Sequence, residues 1–269
     1  MHPLEAAPVV TITGAAYVYP HARALDGIDL EVREGSYTGI VGRNGSGKTT
    51  LAHLIAGILK PTSGSVDTHG RRVGLVLSTP ANQIVSAVVE EDVAFGPENL
   101  GLPPEEIERR VDASLRAVHA QHLRMCMTSA LSGGQLAKIV HAGQLAMEVD
   151  ILVLDEGTAM LDPLSRLAII EQVAELNERF RTTVIHISHR LEDLVHAREI
   201  LVMESGRIVC RTGGACELAS VLGNLGLEGI ETGPEIVYRR FLAGLGIEER
   251  DLRKATVELA RIMGHRPGM

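Results

Sequence analysis

The chain has 269 residues, 45% of them hydrophobic, and a net charge of −8. That length and apolar content are enough for a large folded domain and exclude an intrinsically disordered chain. The acidic balance argues against non-specific binding to nucleic acid, which needs a basic surface to neutralise phosphates. The chain also lacks the run of roughly eighteen uninterrupted apolar residues needed to span a bilayer.

Met1–Pro8 lacks the basic region followed by an apolar one that marks a secretory signal. The three cysteines, Cys126, Cys210 and Cys216, show no zinc-like spacing. A reduced cytosolic chain is therefore the expectation.

Val9–Val18 alternates as a strand does, and Leu25–Val32 repeats the pattern before a turn at Glu34-Gly35. Between them lies Tyr17-Val-Tyr-Pro20. In a chain with four tyrosines, three phenylalanines and no tryptophan, Tyr19 is the candidate to stack on an adenine ring, with simple sheet-edge packing as the alternative.

The apolar run Gly39–Val41 leads into Gly42-Arg-Asn-Gly-Ser-Gly-Lys-Thr-Thr50 and then Leu51–Leu59, which reads as strand, loop and helix. In this context Gly42, Gly45 and Gly47 let backbone N–H groups, with those of Asn44 and Ser46, approach phosphate oxygens at a helix N-terminus. Lys48 is placed to reach the outer phosphates, Thr49 to ligate Mg²⁺, and Thr50 to continue the cradle.

Lys60–Gly64 reads as a turn, Arg72–Leu77 as a buried strand and Ser78–Gln83 as a loop broken by Pro80. From Val88 the pattern is helical, opening on Glu90-Glu91-Asp92. Pro103-Pro104-Glu105-Glu106 starts another helix, to about His119. Leu131-Ser-Gly-Gly-Gln135 opens a further one, to about Met147, and its small residues make a second potential anion site of Ser132, Gly133, Gly134 and Gln135.

Ile151–Leu154 is a buried strand ending in Asp155-Glu156. Beside a phosphate loop, Asp155 is suited to the Mg²⁺ shell and Glu156 to polarising a water against the γ-phosphate. After the amphipathic helix Pro163–Phe180, the strand Thr183–Ile187 ends in Ser188-His189. That places His189 at the same edge, within reach of the γ-phosphate and attacking water. Glu199–Met203 and Arg207–Cys210 form a hairpin around Ser205-Gly206. Strands alternating with helices imply an α/β fold around a largely parallel sheet. Beyond Glu217, glycine-interrupted apolar pieces suggest a small helical appendage.

Gly42–Thr49, Leu131–Gln135, Leu154–Glu156, Ala159–Asp162 and His189 resemble, in order and spacing, the Walker A, signature, Walker B, D-loop and switch motifs of ATP-binding-cassette ATPases. The resemblance implies a P-loop α/β core with an antiparallel β subdomain and a helical signature subdomain at about 84–146. The nucleotide-binding domain then covers 1–216 and the appendage 217–269. It implies ATP hydrolysis with Mg²⁺ in a head-to-tail dimer with an identical or paralogous subunit. Ser132 and Gly134 of one subunit close on the γ-phosphate held by Lys48 of the other, and Asp162 joins the nucleotide-site contacts.

Ala81–Gln83, Val89–Gly101 and Thr158–Pro163 further resemble the ATPase subunits of energy-coupling-factor importers for vitamins or for cobalt and nickel ions. That branch implies a transmembrane coupling protein and a membrane substrate binder as partners. The chain is then peripheral on the cytoplasmic face of the membrane, with Glu90, Glu91 and Asp92 offered to arginines of the coupling protein. Another importer class, or a soluble cassette ATPase, remains the alternative. Three departures stand out. Ser78 occupies the position of a metal-sensing glutamine and Gln83 lies five residues on, so either is a candidate for the metal-bound water. Gly157 follows the catalytic glutamate where proline or alanine is usual, a change expected to alter backbone stiffness only. Lys138 stands where arginine is common.

Overall fold

The computed structural model describes residues 6–158, 161–215 and 218. The expected appendage and the pair at 159 and 160 lie outside them. The first hairpin, β1 (Pro8–Tyr19) and β2 (Ala22–Arg33), extends past the expected limits and includes Tyr17 and Tyr19. β4 (Ser63–Asp67) joins it to form a three-stranded antiparallel sheet in the order β2-β1-β4. The sequence reading placed a turn over the start of β4. Its residues are almost all exposed, so no apolar alternation marks it, and its strand character comes from pairing Thr11–Thr13 with Ser65–Asp67.

β3 (Tyr37–Gly42), β5 (Val73–Leu77), β6 (Ile151–Asp155), β7 (Thr183–Ile187), β8 (Glu199–Glu204) and β9 (Arg207–Thr212) make a six-stranded sheet in the order β5-β6-β7-β3-β8-β9. All pairs are parallel except the β8-β9 hairpin, as expected.

Both faces of this sheet are covered, which is why its strands read as unbroken apolar runs. Ile151 and Val153 of β6 point towards α1 (Lys48–Ile55) and the antiparallel sheet, together with Ile40, Ile185 and Leu201. Leu152 and Leu154 point the other way, into a second cluster with Tyr37, Val184 and residues of the remaining helices. Those helices are α2 (Val89–Asn99), α3 (Pro104–Ala117), α4 (Gly133–Ala146) and α5 (Pro163–Phe180). The first three pack on one another.

The strand order decides where chemistry can occur. β7 lies between β6 and β3, and Asp155 is opposite Ile187, which is in turn opposite Ile40. The C-terminal ends of these three neighbouring strands therefore emerge at one edge, carrying Asp155-Glu156, Ser188-His189 and the Gly42–Thr50 loop.

Candidate active site

The Gly42–Thr50 loop is shaped by contacts that exclude side chains. A Cβ on Gly42 would lie 2.3 Å from the Met203 carbonyl oxygen, and Gly47, at φ 101°, would place one 2.5 Å from that of Ala24. These close approaches are what glycine permits. Gly47 is also the N-cap of α1, so that helix presents its free N–H groups at the loop.

Lys48 is 5% exposed and donates from Nζ to the carbonyls of Gly42 (2.8 Å) and Arg43 (3.0 Å). Burial holds its ammonium below the usual lysine range, while Glu156 and Asp155 pull in the opposite sense. The Ser46 hydroxyl is buried without a hydrogen-bond partner. Tyr19 projects beside the same loop, 40% exposed, its hydroxyl 3.5 Å from that of Thr50 and its ring edge-to-face with Tyr17 at 4.9 Å.

Asp155, 3% exposed, accepts a hydrogen bond from Thr49, yet its Oδ1 is buried without a hydrogen-bond partner. Burial raises its carboxyl pKa, the Thr49 hydroxyl lowers it, and the neighbouring Glu156 raises it again. An anionic oxygen held out of water next to a hydroxyl is a donor set that suits a hard divalent cation, so the residues present fit Mg²⁺.

Glu156 takes a left-handed backbone, φ 53°, and its N–H donates to the Ile187 carbonyl at 3.0 Å. For a residue with a Cβ this conformation costs on the order of 1–3 kcal/mol and is found where surrounding structure imposes it. It brings Oε1 to 3.7 Å from His189 Nδ1, both side chains about one-third exposed. The carboxylate, the imidazole, the buried ammonium and the Thr49–Asp155 pair thus meet at one edge.

The expected second anion site is a formed helix start. Ser132 caps α4 as its Oγ accepts from the Gln135 N–H (3.3 Å), and Gln135 Oε1 accepts from the Ser132 N–H (2.9 Å). Beside it, Gly133 and Gly134 would each have open space around a Cβ, so nothing in this chain crowds that end. Asp162 caps α5 in the same manner, accepting from the Ser165 N–H at 3.0 Å.

Three sequence expectations need adjustment. Gln83 is already engaged: its Oε1 accepts from the Leu77 N–H (2.6 Å) and its Nε2 donates to the Leu75 carbonyl (2.8 Å), so the amide extends the edge of β5. Ser78 follows Leu77, which is opposite Asp155, so it leaves the sheet at the same end as Asp155. Of the acidic run, Glu90 pairs with Arg124 and Asp92 is buried, accepting from the Val85 (2.7 Å) and Ser86 (3.0 Å) N–H groups. Glu91 alone of the three is exposed. At Gly157 the consequence is more than stiffness, because the space of its missing Cβ is filled by Val76 Cγ1 at 2.7 Å.

Sequence reasoning gave no role of their own to Thr158, Ser188 and Asp193, which are buried polar residues joined by hydrogen bonds next to the site. Asp193 sits in a short acidic stretch that looks like surface, and no spacing rule singles it out.

The family model described as "ABC transporter" matches residues 25–159. The chain belongs to the ABC transporter family. This ABC ATPase is 39% identical over 240 residues to the energy-coupling factor transporter ATP-binding protein EcfA1 of Clostridium novyi, covering 83% of this chain and 85% of that one. It is 43% identical over 198 residues to the cobalt import ATP-binding protein CbiO of Syntrophus aciditrophicus, covering 69% and 70%. Among solved structures, cbiO1 from Clostridium perfringens, part of the ABC transporter complex cbiONQ, superposes with a TM-score of 0.70 at 32% identity, covering 82% and 95%. The ABC ATPase binds and hydrolyses ATP, and among its described residues no helix is long and apolar enough to cross a membrane.

Proposed function

We propose that this ABC ATPase powers an importer of the energy-coupling-factor type, for a vitamin or a transition-metal ion, as a peripheral subunit on the cytoplasmic face of the membrane. The observation that carries this reading is the likeness, over most of the chain, to relatives named as energy-coupling factor and cobalt import ATP-binding proteins. The surface is in keeping with it. Val85, Met125 and Met127 are exposed together, because the 85–88 segment pairs with 124–128 through the Val88–Met127 bridge and the Thr128 N–H bond to the Ala87 carbonyl. Glu91 and Phe95 stand one turn apart on the adjoining helix α2, both exposed. An apolar patch with one free carboxylate suits an amphipathic helix carrying arginine.

For the hydrolytic step, Thr49 and Asp155 would hold Mg²⁺, which would supply positive charge against the phosphates. The loop amides from Gly42 to Thr50 and the Lys48 ammonium bind the phosphates, Tyr19 stacks on the base, and Ser78 would be offered to the hydration shell of the metal. Glu156 accepts a proton from the attacking water, and His189, beside Glu156, donates towards the γ-phosphate. Ser132, Gly133, Gly134, Gln135 and Asp162 of a second subunit, identical or paralogous, close the site. Hydrolysis then opens the dimer and moves the transmembrane coupling protein and its substrate-binding membrane subunit.

Co-expression with a coupling protein and membrane substrate binder encoded nearby tests this reading. The ATPase is expected to co-purify with both and to support uptake, and Glu91→Arg is expected to weaken the assembly. Failure of the intact chain to assemble with any such protein would overturn it.

A further inference from the structure

We propose that Asp193 is a positioning residue for hydrolysis, its buried carboxylate setting the spacing between Glu156 and His189. Asp193 is 2% exposed. Its Oδ2 accepts two hydrogen bonds, from the Thr158 hydroxyl at 3.1 Å and the Ser188 hydroxyl at 2.9 Å. Thr158 lies two residues past Glu156, and Ser188 immediately precedes His189. One oxygen atom therefore ties the chain leaving the carboxylate to the chain leading to the imidazole.

The other side of the carboxylate faces Arg166, whose Nε is 3.6 Å from Oδ1. Arg166 lies in the first turn of α5, and its N–H donates to the carbonyl of Asp162, the cap of that helix. Asp193 thus holds the chain before and after the 159–162 segment while also holding the end of β7. The Ser188 hydroxyl is itself fixed, accepting from the Arg190 N–H at 3.0 Å. Two hydroxyl bonds to one buried carboxyl oxygen are directional and share an acceptor, so they transmit a displacement of one segment to the other.

A restraint from behind bears directly on the Glu156–His189 spacing. The Glu156–His189 contact is 3.7 Å, longer than a hydrogen bond, and the Glu156 backbone is in the costly left-handed region. The Glu156 N–H bond to Ile187 fixes the backbone of the two strand ends, but not the turn that follows Glu156. The Thr158–Asp193–Ser188 bridge closes that turn.

The inference rests on Glu156 and His189 acting in hydrolysis, and the test separates the two. Purified full-length Asp193→Asn, Thr158→Val, Thr158→Ser, Ser188→Ala and Glu156→Gln proteins are compared for ATP affinity, kcat, KM and thermal midpoint. A positioning role lowers kcat roughly 10- to 100-fold in Asp193→Asn and Thr158→Val, since displacements near 1 Å in an active site have that effect. KM and ATP affinity then stay within about threefold, because the phosphate loop is untouched. Thr158→Ser, which keeps the hydroxyl, recovers most of kcat. Thr158→Val combined with Ser188→Ala loses less than the product of the single losses, as both act through one carboxylate. Should Asp193→Asn fail to fold, the two hydroxyl deletions decide. Glu156→Gln inactive with Thr158→Val and Ser188→Ala folded and near parental kcat overturns the role of Asp193 alone. Glu156→Gln with parental turnover overturns the site assignment and this inference with it.

Discussion

Replacing Gly157 by alanine probes the turn that carries Glu156, the proposed catalytic carboxylate. The added Cβ would lie 2.7 Å from Val76 Cγ1 and 3.3 Å from Val76 Cβ. Ordinary carbon contacts are about 3.5–4.0 Å, so roughly 1 Å must be found. Val76 cannot rotate away cheaply, being β-branched, fully buried and paired opposite Leu154 in the sheet. Overpacking of this kind costs about 1–3 kcal/mol, or very roughly 2–10 °C in melting temperature for a chain of this size. The softer alternative is movement of the 156–158 turn, which displaces Glu156 and lowers kcat roughly 10- to 100-fold. Urea unfolding and steady-state ATPase assays on Gly157→Ala, Val76→Ala and the double variant separate these effects. Val76→Ala alone should cost about 1–3 kcal/mol through its cavity, and the double variant should be at least about 1 kcal/mol more stable than the sum of singles. A Gly157→Ala protein with parental stability and kcat, or a strictly additive double variant, would refute the argument.

Glu156→Gln removes the proton acceptor while keeping the side chain's shape, so ATP affinity should stay within about threefold while kcat falls at least about a hundredfold; parental steady-state hydrolysis would remove Glu156 from that role. Gln83→Leu strips two hydrogen bonds from the edge of β5, with an expected loss of about 1–3 kcal/mol in urea unfolding and kcat within about threefold. A collapse of kcat at parental stability would instead return Gln83 to the metal. His141 and His186 are each pushed down to about 4, mainly by burial, so both fold as neutral rings. The unfolded rings take protons near pH 6.5, so stability present above that pH is lost as the pH falls towards 4, about 2 kcal/mol for each ring by pH 5. Urea unfolding at pH 7 and pH 5 should show this fall, with a shallower one in His141→Gln; equal slopes would contradict the burial argument.

Much of this molecule was written in local pattern. The glycines and Lys48 of the phosphate loop, the apolar strand before Asp155-Glu156 and the small residues after Leu131 are short-range signals, and each reports a backbone conformation or chemistry a few residues long. The mostly parallel sheet followed from strands alternating with helices, since parallel neighbours require crossovers. β4 escaped because an exposed edge strand has no apolar face to alternate, and only β1 gives it a partner.

Which polar groups are free to act was decided by the tertiary structure. Gln83 and Glu90 look in sequence like available donors and acceptors, yet folding commits the first to the β5 edge and the second to Arg124. Asp193 looks like a surface acid and is enclosed at the junction of three segments. The sequence by itself determined the phosphate-loop motif, the acidic pair at the end of β6 and the family, because those depend on residue type and local spacing. Only the tertiary structure placed Asp193 behind Glu156 and His189 and Val76 against Gly157, because hydrogen bonds and contacts between distant segments exist only once the strands are ordered side by side.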